Sequence, residues 1–307
     1  EQSERIHILD NLSTGFRSAV LHGELIEGDT NDASLVSELL KSRKIESVLH
    51  FAAHIVVPES VANPLKYYRN NTGGTLTLLQ CCVEAGVKNF IFSSTAAVYG
   101  IPSGGIASEE TPTAPINPYG SSKLMSEWML RDTAAAHPLR YVALRYFNVA
   151  GAEPGGRIGQ STPEATHLIK VACEHVVGRR DQVSIFGTDY DTPDGTCVRD
   201  YIHVEDLASA HLRALAHLRA GGASTTLNCG YGHGSSVREV LDEVARVSGK
   251  KLRITESPRR AGDPPCLVAK ADRIREELSW VPRHRDLGGI VSSALAWEQR
   301  LLRQPMS

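Results

Sequence analysis

The sequence predicts an α/β fold, a doubly wound parallel sheet with a smaller mixed α/β lobe attached. Two observations carry that expectation. Short apolar runs alternate with stretches of helical spacing through the first half of the 307 residues, and the runs end in acids, hydroxyls or glycines. Ligands of such sheets lie across the carboxyl ends of the strands, where those polar residues fall. After Asn148 the texture changes: residues 151–156 and 189–195 are loops rich in glycine and proline, which predicts a lobe built from insertions between late elements.

Residues 5–10 read as a first strand closing on Asp10, and residues 24–29 as a second closing on Gly28-Asp29. Helical spacing over residues 35–40 precedes a buried strand at 47–53, and a helix over about 71–85 leads to a strand at 89–93. Pro118 blocks helix before it, so the next helix should start at or near Tyr119 and run through Lys123, Met125, Trp128 and Met129. A strand over 140–145 runs on into Tyr146-Phe147-Asn148. The chain is then expected to return to the sheet at 201–204 and 227–230, and to finish with helices near 237–248 and 287–302. Residues 1–148 and 200–230 would form the Rossmann-type dinucleotide domain, and residues 149–199 and 231–307 the smaller lobe. A domain of this kind opens with a strand, a glycine-rich turn and a helix whose N-terminus meets a pyrophosphate. Glu1-Gln2-Ser3-Glu4 reads as the tail of that helix. Roughly 20 residues are therefore expected ahead of Glu1; the rival reading is a true truncation, at the cost of a central strand and tight cofactor binding.

The bulk properties exclude several function classes. A net charge of −2 gives no global basic field for nucleic acid or a membrane surface, although the pairs Arg179-Arg180 and Arg259-Arg260 suffice for a small anion. No apolar stretch approaches the ~20 residues needed to span a bilayer, and the start shows no signal peptide. The six cysteines form no Cys-x-x-Cys pair and lie in apolar segments, so buried reduced thiols in a cytoplasmic protein are expected. The 12 histidines show no ligand spacing, and no metal is expected.

The chemistry concentrates in two segments. Phe90-Ile91-Phe92-Ser93-Ser94-Thr95-Ala96-Ala97 is an apolar strand that ends in hydroxyls, and Tyr119-x-x-x-Lys123 follows it. A phenol and an ammonium four residues apart share a helix face. The positive charge should favour phenolate and pull the tyrosine pKa down from about 10, which makes Tyr119 a proton shuttle for an alcohol being oxidised. Ser94 and Thr95 would hydrogen-bond the reacting oxygen. The bland alternative, an exposed helical pair, is disfavoured by the strand upstream. Asp10 falls where an acid would bond ribose hydroxyls and repel a 2′-phosphate, favouring NAD over NADP; alternatively Asp10-Asn11 only caps a turn. Asp29 and Thr30 could meet an adenine, or Asp29 or Asn31 could cap the next helix. Phe51-Ala52-Ala53 would allow close approach of a cofactor, with plain core packing as the rival. Asn70 is a polar contact or an N-cap.

In sum these residues resemble the extended short-chain dehydrogenase/reductase superfamily, and within it the UDP-glucose 4-epimerase family. The match runs from Asp10 to the C-terminal helix. It is carried by Asp10-Asn11, Phe51-Ala52-Ala53, Tyr67-Tyr68-Arg69-Asn70-Asn71, the Ser93 to Gly100 run and Tyr119-x-x-x-Lys123. Further pieces are Leu144-Arg145-Tyr146-Phe147-Asn148, Gly178-Arg179-Arg180-Asp181, the Asp194 to Val204 run and Pro258-Arg259-Arg260-Ala261-Gly262-Asp263. The resemblance implies tightly held NAD and a UDP-sugar substrate, with residues 1–148 and 200–230 binding NAD and the other lobe the nucleotide sugar. It places the cofactor against Asp10, Asn11, Leu12, Ser13, Thr14, Gly15, Asp29, Thr30, Phe51, Ala52, Ala53, Ile55, Asn70, Thr95, Tyr119, Lys123 and Phe147. It places the substrate against Thr95, Tyr119, Asn148, His167, Leu168, Ser184, Ile185, Phe186, Arg199, Arg260, Asp263 and Leu267. Arg199 and Arg260 would clamp the diphosphate; a salt bridge to Asp200 or Asp263 is the alternative.

The chain departs from the family at His167, where Asn is frequent, and at Ile55, where a polar or basic residue is frequent. Leu267 stands where bulk governs access for an N-acetyl group. Ala96 and Ala97 follow Thr95 where 4,6-dehydratases and decarboxylases need a second proton-transfer group, which argues against those reactions. A silent dinucleotide-binding sensor is the rival of another class. Leu124, Met125, Trp128 and Met129 ring much of their helix, so one stripe should meet a partner helix in a homodimer.

Overall fold

The computed structural model of the protein describes residues 4–304; of the helix tail expected at residues 1–4, residues 1–3 lie outside the described residues and Glu4 is not helical. The strands are β1 (His7–Asp10), β2 (Glu24–Glu27), β3 (Ser47–His50), β4 (Asn89–Thr95), β5 (Ile106–Ala107), β6 (Arg140–Tyr146), β7 (Asn148–Ala150), β8 (Val183–Phe186), β9 (Val198–His203), β10 (Thr225–Cys229), β11 (Gly234–Ser236), β12 (Ile254–Ser257) and β13 (Cys266–Ala269).

Four of them form a parallel sheet in the order β3-β4-β6-β10, while β1 and β2 make a separate parallel pair. Every residue of β4 is buried. A strand apolar on both faces requires cover on both, and the pleat sorts its side chains accordingly. Phe90 and Phe92 pack with Leu78, Leu79 and Leu130 of the helices Gly74–Ala85 and Pro118–Ala136. Ile91 packs with Leu207, Ala210 and Ala214 of the helix Val204–Arg219 on the opposite face. Each fully buried phenylalanine contributes about 2–3 kcal/mol of burial. The sheet is therefore wound on both sides, as expected.

The second sheet differs from the expectation. Only the 227–230 segment rejoins the first sheet, through β10 on β6. The 201–204 segment belongs to β9, which pairs with β7, β13 and β11 instead. The buried Asp200 fixes this: its carboxylate accepts the backbone N–H groups of Tyr231 at 3.0 Å, Gly232 at 2.8 Å and Ala269 at 3.3 Å. An acid so satisfied ties β9 to the chain before β11 and to β13. The later half of the chain also contains the parallel pair β8–β12 and the helices Leu168–Val176, Val237–Ser248 and Leu287–Arg303.

Two helices bear directly on the site. The helix expected over 71–85 begins earlier, at Pro64, and passes through a π-turn at Tyr68–Gly73 before Gly74–Ala85. The wider turn buries Asn71, whose Nδ2 donates to His54 O and to Ser122 Oγ, both at 3.0 Å. The helix Pro118–Ala136 starts as the sequence predicts. Asn117 caps it by accepting from Gly120 N at 2.8 Å, and Pro118 occupies its first turn. A Cβ at Gly120 would lie 2.6 Å from Ala97 O, so glycine lets this helix start against the end of β4. Among the described residues no helix is long and apolar enough to cross a membrane.

Candidate active site

The end of β4 and the start of the Pro118–Ala136 helix form one wall of a cavity of about 1020 Å³. Thr95, Tyr119, Lys123, Phe51, Ile55, Phe147, Asn148, His167, Leu168, Ser184, Phe186, Arg199, Arg260, Asp263 and Leu267 all line it. These expected residues, distant in sequence, meet in one space. The others do not reach it.

Tyr119 is half-buried, with its ring edge-on to Tyr67 at 6.5 Å. Burial raises its phenol pKa above the ordinary 10, and a hydrogen bond from Thr95 opposes that. Lys123 is buried; its Nζ donates to Ser93 O at 2.8 Å and lies 4.9 Å from the Phe92 ring centre. Burial drives its pKa down to about 7, against the pull of Glu127. The expectation that Lys123 lowers the Tyr119 pKa is therefore corrected for this arrangement. Desolvation dominates both groups, and the ammonium spends its donor on the strand.

Ser94 is corrected as well. Its hydroxyl donates to Glu127 Oε1 at 2.5 Å, away from the cavity. The pleat accounts for this: Ser94 shares the face of Phe90 and Phe92, whereas Ser93 and Thr95 share the other. Ser93, which sequence reasoning passed over, lines the cavity with its hydroxyl bonded to Tyr146. Period-two counting back from Thr95 would have found it. Glu127 and Arg145, also unremarked, form a buried ion pair through Nε–Oε1 at 2.9 Å and Nη2–Oε2 at 2.6 Å. Glu127 was legible as the third member of the i, i+4, i+8 series from Tyr119.

Residues Asp10–Gly15 sit at the end of β1, off the cavity wall. Asp10 Oδ1 accepts from Leu12 N at 2.7 Å and Asn11 Oδ1 from Ser13 N at 3.0 Å, so the turn reading holds while Asp10 stays exposed. Gly15 lies beside it, where a Cβ would come within 3.2 Å of the carboxylate. Asn11 Nδ2 donates to Asp29 at 2.9 Å, and Asp29 also accepts from Asn31 N at 2.8 Å, which holds its carboxyl below the usual range. Neither Asp29 nor Asn31 caps the following helix; Asp32 does, accepting from Leu35 N at 3.0 Å. Thr30 packs against Gly74. Asn70 lies inside the π-turn, so the N-cap reading fails there. Phe51 is 54% exposed and Ala52 exposed, so core packing is not their role. Ala53 is half-buried beside them.

On the substrate side, Ile185 is corrected: it points into the core, while its neighbours Ser184 and Phe186 face the cavity. His167 Nδ1 meets Gln160 Nε2 at 2.9 Å. Arg260 stacks on Phe186 with its guanidinium carbon 3.6 Å from the ring centre. Arg199 donates to Val198 O at 2.9 Å. The salt bridge considered for Arg199 does not form, because Asp200 is taken up by backbone N–H groups. Two arginines thus line one cavity with Thr95 and Tyr119.

The NAD dependent epimerase/dehydratase family model matches residues 1–230. A UDP-glucose 4-epimerase of Azospirillum brasilense is 60% identical over 294 residues, covering 95% of this chain and 84% of that protein. The crystal structure of UDP-glucose 4-epimerase from Brucella ovis in complex with NAD superposes with a TM-score of 0.92 at 45% identity, covering 96% of this chain and 91% of that one. The UDP-Glc/GlcNAc 4-epimerase of Campylobacter jejuni gives a TM-score of 0.82 at 50% identity, with 96% and 92% covered. The fold, the site and these likenesses agree, and the chain belongs to the NAD dependent epimerase/dehydratase family.

Proposed function

We propose that this protein is an isomerase that interconverts UDP-glucose and UDP-galactose with NAD as cofactor. The observation that carries the reading is Thr95, Tyr119 and Lys123 meeting at the carboxyl end of β4, on the wall of a cavity that Arg199 and Arg260 also line. The residues fit NAD: an exposed Asp10 carboxylate suits ribose hydroxyls, and the apolar Phe51, Ile55 and Phe147 suit a flat ring next to Tyr119. Held there, NAD would supply reversible hydride acceptance for oxidation and re-reduction at the sugar C4.

The chain's own residues handle the proton and the sugar. Tyr119 removes the proton of the 4-hydroxyl and gives it back after the 4-keto sugar has turned over. Thr95 bonds the 4-oxygen and its hydrogen bond favours the phenolate, and Lys123 would bond the nicotinamide ribose. Arg199 and Arg260 grip the diphosphate, with His167, Leu168, Ser184 and Phe186 around the nucleotide. Binding energy is then concentrated at the UDP end, leaving the hexose free to turn. Leu267 is smaller than tyrosine on the wall and admits an N-acetyl group at C2, so UDP-N-acetylhexosamines are substrates too. Ala96 and Ala97 offer no second proton-transfer group, which separates this site from a 4,6-dehydratase. Incubation with UDP-galactose and with UDP-N-acetylgalactosamine should give the gluco isomers at unchanged mass; loss of one water would instead mark a dehydratase and end this reading.

The protein acts as a cytoplasmic homodimer in galactose metabolism. Leu76, Met125 and Trp128, 47%, 37% and 47% exposed, lie on the adjacent helices Gly74–Ala85 and Pro118–Ala136 and form an apolar surface for a second copy. Light scattering at micromolar concentration should give twice the chain mass, and Trp128→Glu should shift it to the monomer. A monomeric wild type refutes the dimer.

A further inference from the structure

Three residues of the Pro118–Ala136 helix, Tyr119, Lys123 and Glu127, follow one another at intervals of four and so stand on one face. The first belongs to the cavity. The second and third both reach back to β4: Lys123 Nζ to Ser93 O at 2.8 Å and Ser94 Oγ to Glu127 Oε1 at 2.5 Å. The strand residues on either side of Ser94 are Ser93 and Thr95, so the helix grips β4 immediately before the hydroxyl that should meet the sugar. Glu127 is itself clamped by Arg145 of β6 through two charge-assisted bonds. Arg145 in turn donates to Tyr99 OH at 2.9 Å, and Tyr99 OH donates to Asn228 Oδ1 at 2.6 Å on β10. Glu127, Arg145 and Ser94 are 5%, 8% and 0% exposed. None lines the cavity.

We propose that Ser94, Glu127 and Arg145 are a buried positioning unit that fixes Thr95 and Lys123 relative to Tyr119, so that Ser94 serves the scaffold and not the sugar. This rests on the epimerase reading of the site. The electrostatics agree with the geometry. Lys123 is surrounded by the Ser93 carbonyl and Phe92 of β4, by His50 of β3, by Tyr119 and Glu127 on its own helix, and by Tyr146 beyond Ser93. His50 is held neutral by burial, with a pKa of about 3, and adds no charge. Burial lowers the Lys123 ammonium to about 7 even with the Glu127 carboxylate opposing it.

The test uses the NAD-bound enzyme. Glu127→Gln leaves Arg145 buried without its counter-charge and could unfold the chain, so Glu127→Leu/Arg145→Met, which removes both charges at similar volume, is the second variant. In Glu127→Gln the alkaline limb of the kcat profile should move down by about one pH unit, because Lys123 loses its proton sooner, and in the double variant, which also removes the Arg145 cation, it should move less. Turnover should fall by up to about 100-fold from misplacement while KM for the UDP-sugar stays within about twofold. Ser94→Ala should slow the wild type about tenfold and add nothing in the Glu127→Leu/Arg145→Met background. An unmoved alkaline limb, or a Ser94→Ala loss that multiplies through in that background, overturns the proposal. A wild type with no epimerase activity would instead defeat the underlying reading, and Tyr119→Phe measured alongside tells the two failures apart.

Discussion

Tyr119→Phe should cut turnover about 100- to 10,000-fold, while the protein stays folded and keeps its NAD. The prediction follows from what the substitution leaves in place. The phenylalanine ring preserves the edge-on packing against Tyr67 at 6.5 Å and removes only the oxygen bonded to Thr95. That oxygen lies on the cavity wall, one helical turn from the Lys123 ammonium. Lys123 would still donate to Ser93 O, and Phe51, Ile55 and Phe147 would still line the cavity. The loss should therefore appear in kcat, with KM little changed. The pH dependence has a definite sign. Burial raises the Tyr119 pKa, so the wild type loses rate as pH falls and the phenol keeps its proton. The residual rate of Tyr119→Phe should lack that acid limb. Steady-state kinetics, together with NAD released on denaturation, check both statements. Activity within tenfold of wild type would mean that another group moves the proton.

Much of this site was legible from residue order, because a doubly wound sheet sends its strand ends to one side. Asp10, Phe51, Thr95 and Phe147 each lie at or just past the end of a strand, and Tyr119 follows a proline that fixes the helix start. What was not legible depends on the pleat and on depth. Ser94 and Ile185 belong to correctly placed strands yet point away from the cavity, since alternate residues of a strand face opposite ways. The priming of Tyr119 by Lys123 failed for a different reason. Spacing places two groups on one face, but it does not reveal that both are desolvated or that the ammonium has a nearer acceptor in Ser93 O. The fate of β9 was hidden because its partners depend on Asp200, a buried acid satisfied by backbone far along the chain.

Lys170→Met should destabilise the protein by roughly 3–5 kcal/mol near neutral pH, on the order of 10 °C in the thermal midpoint, without touching any residue of the proton path. Lys170 sits on the helix Leu168–Val176, whose first residue lines the cavity. Its ammonium bonds Glu298 of the C-terminal helix and lies 3.3 Å from Glu174. The Lys170 and Glu298 side chains are 4% and 1% exposed. Arg179 reaches Glu298 at 3.2 Å and Arg180 bonds Glu174, but both arginines are partly in solvent. Removing Lys170 leaves two buried carboxylates short of their shared cation. The pH dependence follows from Glu298, whose folded-state pKa already lies above its ordinary 4.5 because burial outweighs Lys170. A carboxyl with a raised folded pKa holds its proton more tightly when folded, so stability from that source is present below about 4.5 and is lost as pH rises through the folded value. Without Lys170 that value rises further and the loss extends to higher pH. The deficit of Lys170→Met should therefore be large at pH 7 and shrink towards pH 5, as followed by thermal unfolding at fixed protein and NAD concentration. Lys170→Met/Glu298→Leu, which removes the stranded charge as well, should recover most of the loss. A deficit that is flat with pH, or no recovery in the double variant, would mean that Lys170 contributes through the packing of its stem and not through its charge.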